Sequence, residues 1–134
     1  MNPKFAAAIA GIALVVVATP VVAHHSFAAE YDAARPIVLK GVVTRVEWTN
    51  PHSHCYIDVK EDASGVANWI VEMASPRVLA QNGWKLNSLK VGDEVTIEAA
   101  MSKDGSKRAN ARVVTLADGR RVSAGSSGGD VPSP

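Results

Sequence analysis

Four histidines are the side chains of this 134-residue chain best suited to chemistry at neutral pH, and they fall in two places. His24 and His25 are adjacent, while His52 and His54 are two apart, a spacing that puts both rings on one face of a β-strand. Same-face strand neighbours lie about 6.6 Å apart, so two imidazoles can converge on one ion held by bonds of ~2 Å. A nitrogen-rich set without thiolate suits Cu(II) best, then Ni(II) or Zn(II), by the usual order of divalent affinities. The plainer alternative is that outward strand histidines are solvated or hydrogen-bonded and hold no metal.

The first pair gains meaning from what precedes it. Lys4 is followed by the uncharged apolar run Ala6 to Ala18, then by Thr19-Pro20-Val21-Val22-Ala23. A run of about 13 residues is too short for the ~20 that a spanning helix needs, and Pro20 ends it ahead of small residues. Residues 1–23 therefore read as a secretory leader cut after Ala23, with Val21 at −3. A cut after Ala18 would leave Pro20 as the second mature residue, and an uncleaved anchor is the remaining alternative. No Cys follows the cut, so lipid attachment of the lipoprotein type is not expected. The expected location is the periplasm or outside the cell, with no stable membrane anchor. Cleavage after Ala23 would make His24 the first residue, and its α-amine and imidazole together chelate one cation. Freeing that amine of its proton near neutral pH costs only about 1 kcal/mol, because its pKa is ~7.7–8.0. His25 adds a nitrogen and His52 and His54 close the set, provided that the leading segment folds back with Phe27 and Tyr31 as anchors.

The elements that must position these groups read as strands. Ile37 to Trp48 is β-branched and long, with Gly41 near its middle, where a strand glycine signals a bend or a close backbone approach. Thr49-Asn50-Pro51 breaks the run, and His52 to Lys60 alternates Ser53, Cys55, Ile57 and Val59 against His52, His54, Tyr56 and Asp58. Asp62 to Gly65 is a hairpin turn into Val66 to Ala74, which sets Trp69, Val71 and Met73 on one side. Ser75-Pro76 is a helix start, N-cap then first-turn proline, for a helix of about two turns ending near Gly83. Val95 to Ala99 and Ala109 to Leu116 are further strands, and Asp118-Gly119 turns the chain into Arg121-Val122-Ser123.

A bent strand, two more, a short helix and two strands is the order of a small all-β OB-fold-like five-stranded barrel, with the helix between strands 3 and 4. An SH3-like barrel or a small open sandwich is the alternative. The organisation is then leader 1–23, N-terminal arm 24–35, barrel 36–123 and, from Ala124 to Pro134, a Gly/Ser/Pro tail expected to be disordered.

His24-His25-Ser26-Phe27, Glu30-Tyr31-Asp32, Leu39-Lys40-Gly41, Glu47 to His52, Ser75-Pro76, Gly83-Trp84, Leu89 to Asp93 and Asp118-Gly119-Arg120 together resemble a family of small exported bacterial proteins known as a domain of unknown function. The resemblance spans nearly all of the expected mature chain and implies no activity. It marks the leading His pair and the Asn-Pro-His element as recurring parts, matching His24, His25 and His52. His54 and Cys55 stand where that family more often carries bulky apolar or aromatic residues.

Other residues bear less weight. Fourteen Lys and Arg against thirteen Asp and Glu leave no positive surplus, which disfavours nucleic acid as a partner. The single Cys cannot form an internal disulfide, and its place opposite His54 reads as a small buried hydrophobe. Met73 and Met101 can bind soft Cu(I) but usually fill cores, and Trp48, Trp69 and Trp84 read as core rather than as a stacking platform. Glu30 and Asp32 are candidate acids to orient an imidazole. No phosphate-binding or dinucleotide-binding glycine pattern and no nucleophile elbow is present. The expected function is a non-catalytic periplasmic copper-binding protein using His24, His25, His52 and His54. The alternatives are an envelope module that binds a peptide, glycan or protein partner without metal, and a small copper-dependent oxidoreductase. The intact mass of the exported protein should correspond to a chain starting at His24; any other start removes the amino-terminal chelate.

Overall fold

The computed structural model describes residues 26–63 and 65–126. Residues 1–25, which include the expected leader and His24 and His25, lie outside them, as do Ser64 and residues 127–134. In chain order the elements are α1 (Ser26–Glu30), β1 (Tyr31–Glu47), β2 (His54–Glu61), β3 (Gly65–Glu72), α2 (Pro76–Gln81), β4 (Glu94–Ser102), β5 (Arg108–Thr115) and β6 (Arg121–Ser123). The chain is mostly β. Its six strands form one sheet in the order β3-β2-β1-β4-β5-β6, antiparallel at each of these steps. A further, parallel pairing joins β3 to β5 through Ile70 with Arg108, Val71 with Ala109 and Glu72 with Asn110.

Strand alternation falls as the sequence predicts. Ser53, Cys55 and Ile57 are buried, whereas His52, His54, Tyr56 and Asp58 on the opposite face are partly exposed. Trp69, Val71 and Met73 turn inward to meet Val43, Ile97, Ala109 and Ala111 in one core. Trp48 and Trp84 meet edge to face at 6.2 Å, and the Trp84 indole N–H donates to the Ser123 carbonyl at 2.7 Å. The three indoles are thus packing groups. Ser75 caps α2, its Oγ accepting from the Val78 amide at 3.4 Å, and Gly83 leaves the helix at φ +90°, a conformation that strains an L side chain.

Three boundaries differ from expectation. β2 begins at His54, not His52, so His52 stands in the segment that leads into the strand. β1 begins at Tyr31 rather than after Pro36, because Tyr31 and Asp32 already pair with Ser102 and Met101 of β4. The register then shifts between Asp32 and Pro36, so the proline, which has no N–H to donate, sits at the resumption of pairing after a bulge. Asp32 shapes that bulge by accepting the Ala34 N–H at 2.9 Å. The expected extended arm is therefore, over 26–35, one helical turn and the start of a strand. At the other end, Ala124 is fully buried, its N–H donating to the Arg112 carbonyl and its carbonyl accepting from Ala74 N, each at 2.9 Å. The expected tail thus gives way to packed chain through 124–126, because those backbone groups continue the hydrogen bonding beyond β6. β6 also adds a sixth strand to the five expected.

Gly41 meets its predicted need. A Cβ built there would lie 2.5 Å from the Asp58 carbonyl oxygen of the neighbouring strand. Gly41→Ala should therefore lower unfolding stability by about 2 kcal/mol or more in urea titration, since neither backbone can withdraw without disturbing the β1–β2 ladder.

Candidate metal centre

The region around the second histidine pair is organised by an acid. Glu72 ends β3 on the face opposite Trp69 and Val71, yet its side chain is only 10% exposed. A carboxylate in such a place needs donors to replace water, and this one has them. Tyr31 donates its phenol proton to Oε2 at 3.1 Å, and Asn110 donates an amide proton to Oε1 at 3.0 Å. His52 places Nδ1 3.2 Å from Oε1, with its ring 27% exposed. Asn110, itself buried, spends a further contact on Ser126, donating to its Oγ at 2.7 Å.

Register explains the convergence. His54 pairs with Glu72 across β2–β3, so His52, two residues earlier on the same face, is the diagonal neighbour within side-chain reach. Asn110 is the in-register partner of Glu72 across β3–β5. Tyr31 enters from the opposite direction, from the end of β1 that pairs with β4. Burial, reinforced by the negative Glu72, pushes the Tyr31 phenol far above its ordinary value, so the group stays protonated and remains a donor.

The described residues 27–33 are held down by several contacts. Lys103 caps α1, its Nζ donating to the Ala28 carbonyl and its backbone N–H to the Glu30 carbonyl at 2.9 Å. Arg108 lies 3.8 Å from Glu30, and Arg112 donates to the Ala33 carbonyl at 3.3 Å. Phe27 packs against Tyr31 with ring centroids 5.8 Å apart. Tyr31 thus ties this segment to the sheet through its hydroxyl and its pairing with Ser102, while Phe27 packs on Tyr31.

Of the four histidines named from sequence, the structure brings His52 onto the carboxylate. It sets His54 on the same outward face, in register between Glu47 and Glu72. Glu47 is engaged elsewhere, accepting from the Tyr56 hydroxyl at 3.1 Å and lying 3.4 Å from Arg45. His24 and His25 lie outside the described residues. Among the described residues no group of three or more His, Cys, Asp or Glu is arranged to hold a metal ion. Among the described residues neither acid proposed to orient an imidazole lies against one: Glu30 faces Arg108 and Asp32 closes its own turn. Glu72 does, and sequence reasoning passed it over. Its one signal was that it is the sole charged residue between Val66 and Ala74. Asn110 carried no signal, since its role exists only through the pairing of β3 with β5.

Residues 11–111 match the model of a family of unknown function, DUF6152. The chain belongs to that family. No curated protein and no solved structure matches it. The DUF6152 span takes in both histidine pairs, Tyr31, Glu72 and Asn110, and stops before Ser126.

The remaining candidates in this DUF6152 chain are core groups. Met73 is fully buried, and Met101 accepts a contact from Arg35 Nη2 at 3.4 Å. Cys55 is fully enclosed, and burial pushes its thiol up to about 12 from an ordinary 9.0. The thiol's folded value lies above its unfolded one, so its contribution to folding is complete below 9.0 and is lost as pH rises through about 12. Native protein at about pH 8 should resist a thiol-specific chromogenic reagent and release one equivalent of chromophore only when denaturant is added; prompt reaction of the folded protein would show an accessible thiolate.

Proposed function

We propose that this protein is a non-catalytic, periplasmic metal-binding protein whose ion, Cu(II), is held by the α-amine and imidazole of His24, by His25 and by His52, with His54 next to it on the wall of an OB-fold-like barrel. The observation that carries this reading is the meeting of Tyr31 and His52 on the same carboxylate. Tyr31 follows the leading histidines closely in the chain, and the stretch around it does not run free: 27–33 is pinned by Lys103, just past β4, and by Arg108 and Arg112 of β5. Tyr31 is thereby held at the carboxylate that His52 also approaches, which supports a site shared with the residues that precede it.

The ligand chemistry supports copper over other ions. Amine and imidazole nitrogens without thiolate are the donors that Cu(II) prefers, and the only thiol is locked in the core. The barrel form is supported by the pairings β1-β2-β3-β5-β4-β1, which return to their start, by the parallel β3–β5 step and by the helix between β3 and β4. In this reading β6 is an appended edge strand.

The test compares two forms of the protein by calorimetry and copper paramagnetic resonance. Mature protein starting at His24 should bind one Cu(II) with a nitrogen-rich spectrum, and a form with one extra leading Met should bind at least tenfold more weakly. His52→Ala should weaken the mature form in the same direction. Equal affinity of the two forms removes the amine from the site, and no effect of His52→Ala confines binding to a chelate remote from the sheet. Failure of both forms to take up metal overturns the reading.

A further inference from the structure

We propose, resting on the metal-binding reading above, that Glu72 is the positioning residue of this site: it holds His52 in the Nδ1–H tautomer, so that Nε2 is the ring's only metal donor. The charge decides the tautomer. The contact is an ion-pair approach of 3.2 Å, and a carboxylate that close favours a proton on the nearer ring nitrogen, Nδ1, over one on the farther. An imidazole free in water favours the other tautomer, with the proton on Nε2, so the carboxylate reverses the ring's ordinary preference.

A carboxylate on a flexible side chain would do this poorly, because its last torsion is soft. Here that torsion is clamped. Tyr31 holds Oε2 and Asn110 holds Oε1, and the two come from different strands, β1 and β5. Asn110 is clamped in turn, because the same amide nitrogen also donates to Ser126 at 2.7 Å. The Asn-Pro-His loop is braced independently, with Thr49 Oγ1 donating to the His52 carbonyl at 2.8 Å. Backbone and ring of His52 are therefore fixed by separate contacts. A metal-bound imidazole whose other nitrogen donates to a carboxylate is both oriented and made a stronger ligand. Glu72 carries out that function without touching the ion, and through Tyr31 it joins the ring's orientation to the seat of the leading segment.

Long-range proton–nitrogen correlation spectra of the mature, metal-free protein at about pH 8, where ordinary imidazoles are neutral, read the tautomer directly. His52, assigned by its loss in His52→Ala, should appear as Nδ1–H. In Glu72→Gln one oxygen remains for three donors, so the signal should move toward the Nε2–H form and Cu(II) affinity should fall 10- to 100-fold, on the scale of lost outer contacts. Tyr31→Phe keeps the ring packed and frees Oε2, and should give a smaller shift of the same sign with an altered copper spectrum. An Nε2–H ring in the unaltered protein overturns the proposal, as does a Glu72→Gln protein with unchanged tautomer and affinity. If Glu72→Gln does not fold, a Tyr31→Phe protein identical to the unaltered one in both readouts overturns it. A mature protein that takes up no Cu(II) overturns the functional reading and the metal half of this one, while the tautomer still decides whether Glu72 orients the ring.

Discussion

A carboxylate can leave water only where other donors take over the hydration it gives up, and that requirement at Glu72 ties together parts of the chain that are far apart in sequence. Tyr31 lies 41 residues away and Asn110 38, yet both reach its oxygens. Each donor is on a different element, so the acid can be satisfied only when β1, β3, β5 and the Asn-Pro-His loop are all in register. Any slip of one residue would turn Glu72 or Asn110 into the apolar core and expose a Val or Ala in its place. The outward face of this sheet is therefore specified by polar demand as strictly as its inward face is by burial.

The same cluster gives the leading segment a reason to be where it is. A five-residue helix has no stability of its own, since nucleation costs more than so few hydrogen bonds return. α1 persists because Lys103 occupies carbonyls at its end, Arg108 lies beside Glu30, and Phe27 packs on Tyr31. These cations engage the protein's own carbonyls and acids. Pairs of this exposed kind contribute little singly, and the buried Tyr31 hydroxyl is the contact that sets the direction.

Much of the fold was legible because alternation and turn chemistry are local. Cys55 and Ile57 against His54 and Tyr56, Trp69 with Val71 and Met73, the Ser75-Pro76 cap and the close approach at Gly41 all follow from residue type and spacing. The errors arose where distant segments supplied what local sequence lacks. Tyr31 and Asp32 became strand because Ser102 and Met101 offered them partners, and a proline that looked like a boundary sits instead beside a bulge. Ala124 looked like the start of a tail because Gly and Ser bury little, but its backbone groups were wanted by Ala74 and Arg112.

The candidate site divides along the same line. Sequence alone determined that the histidines come in two groups, that His52 and His54 share a face, and that the lone cysteine packs inside, since each depends only on residue type and a strand's period of two. It also sufficed to name the family. Only the tertiary structure decided that His52 rather than His54 meets a carboxylate, that this carboxylate is Glu72 rather than Glu30 or Asp32, and that Tyr31 and Asn110 hold it. Those facts depend on which strands lie side by side and in what register, and the free energy that selects a register is a sum over contacts between residues that no local pattern links.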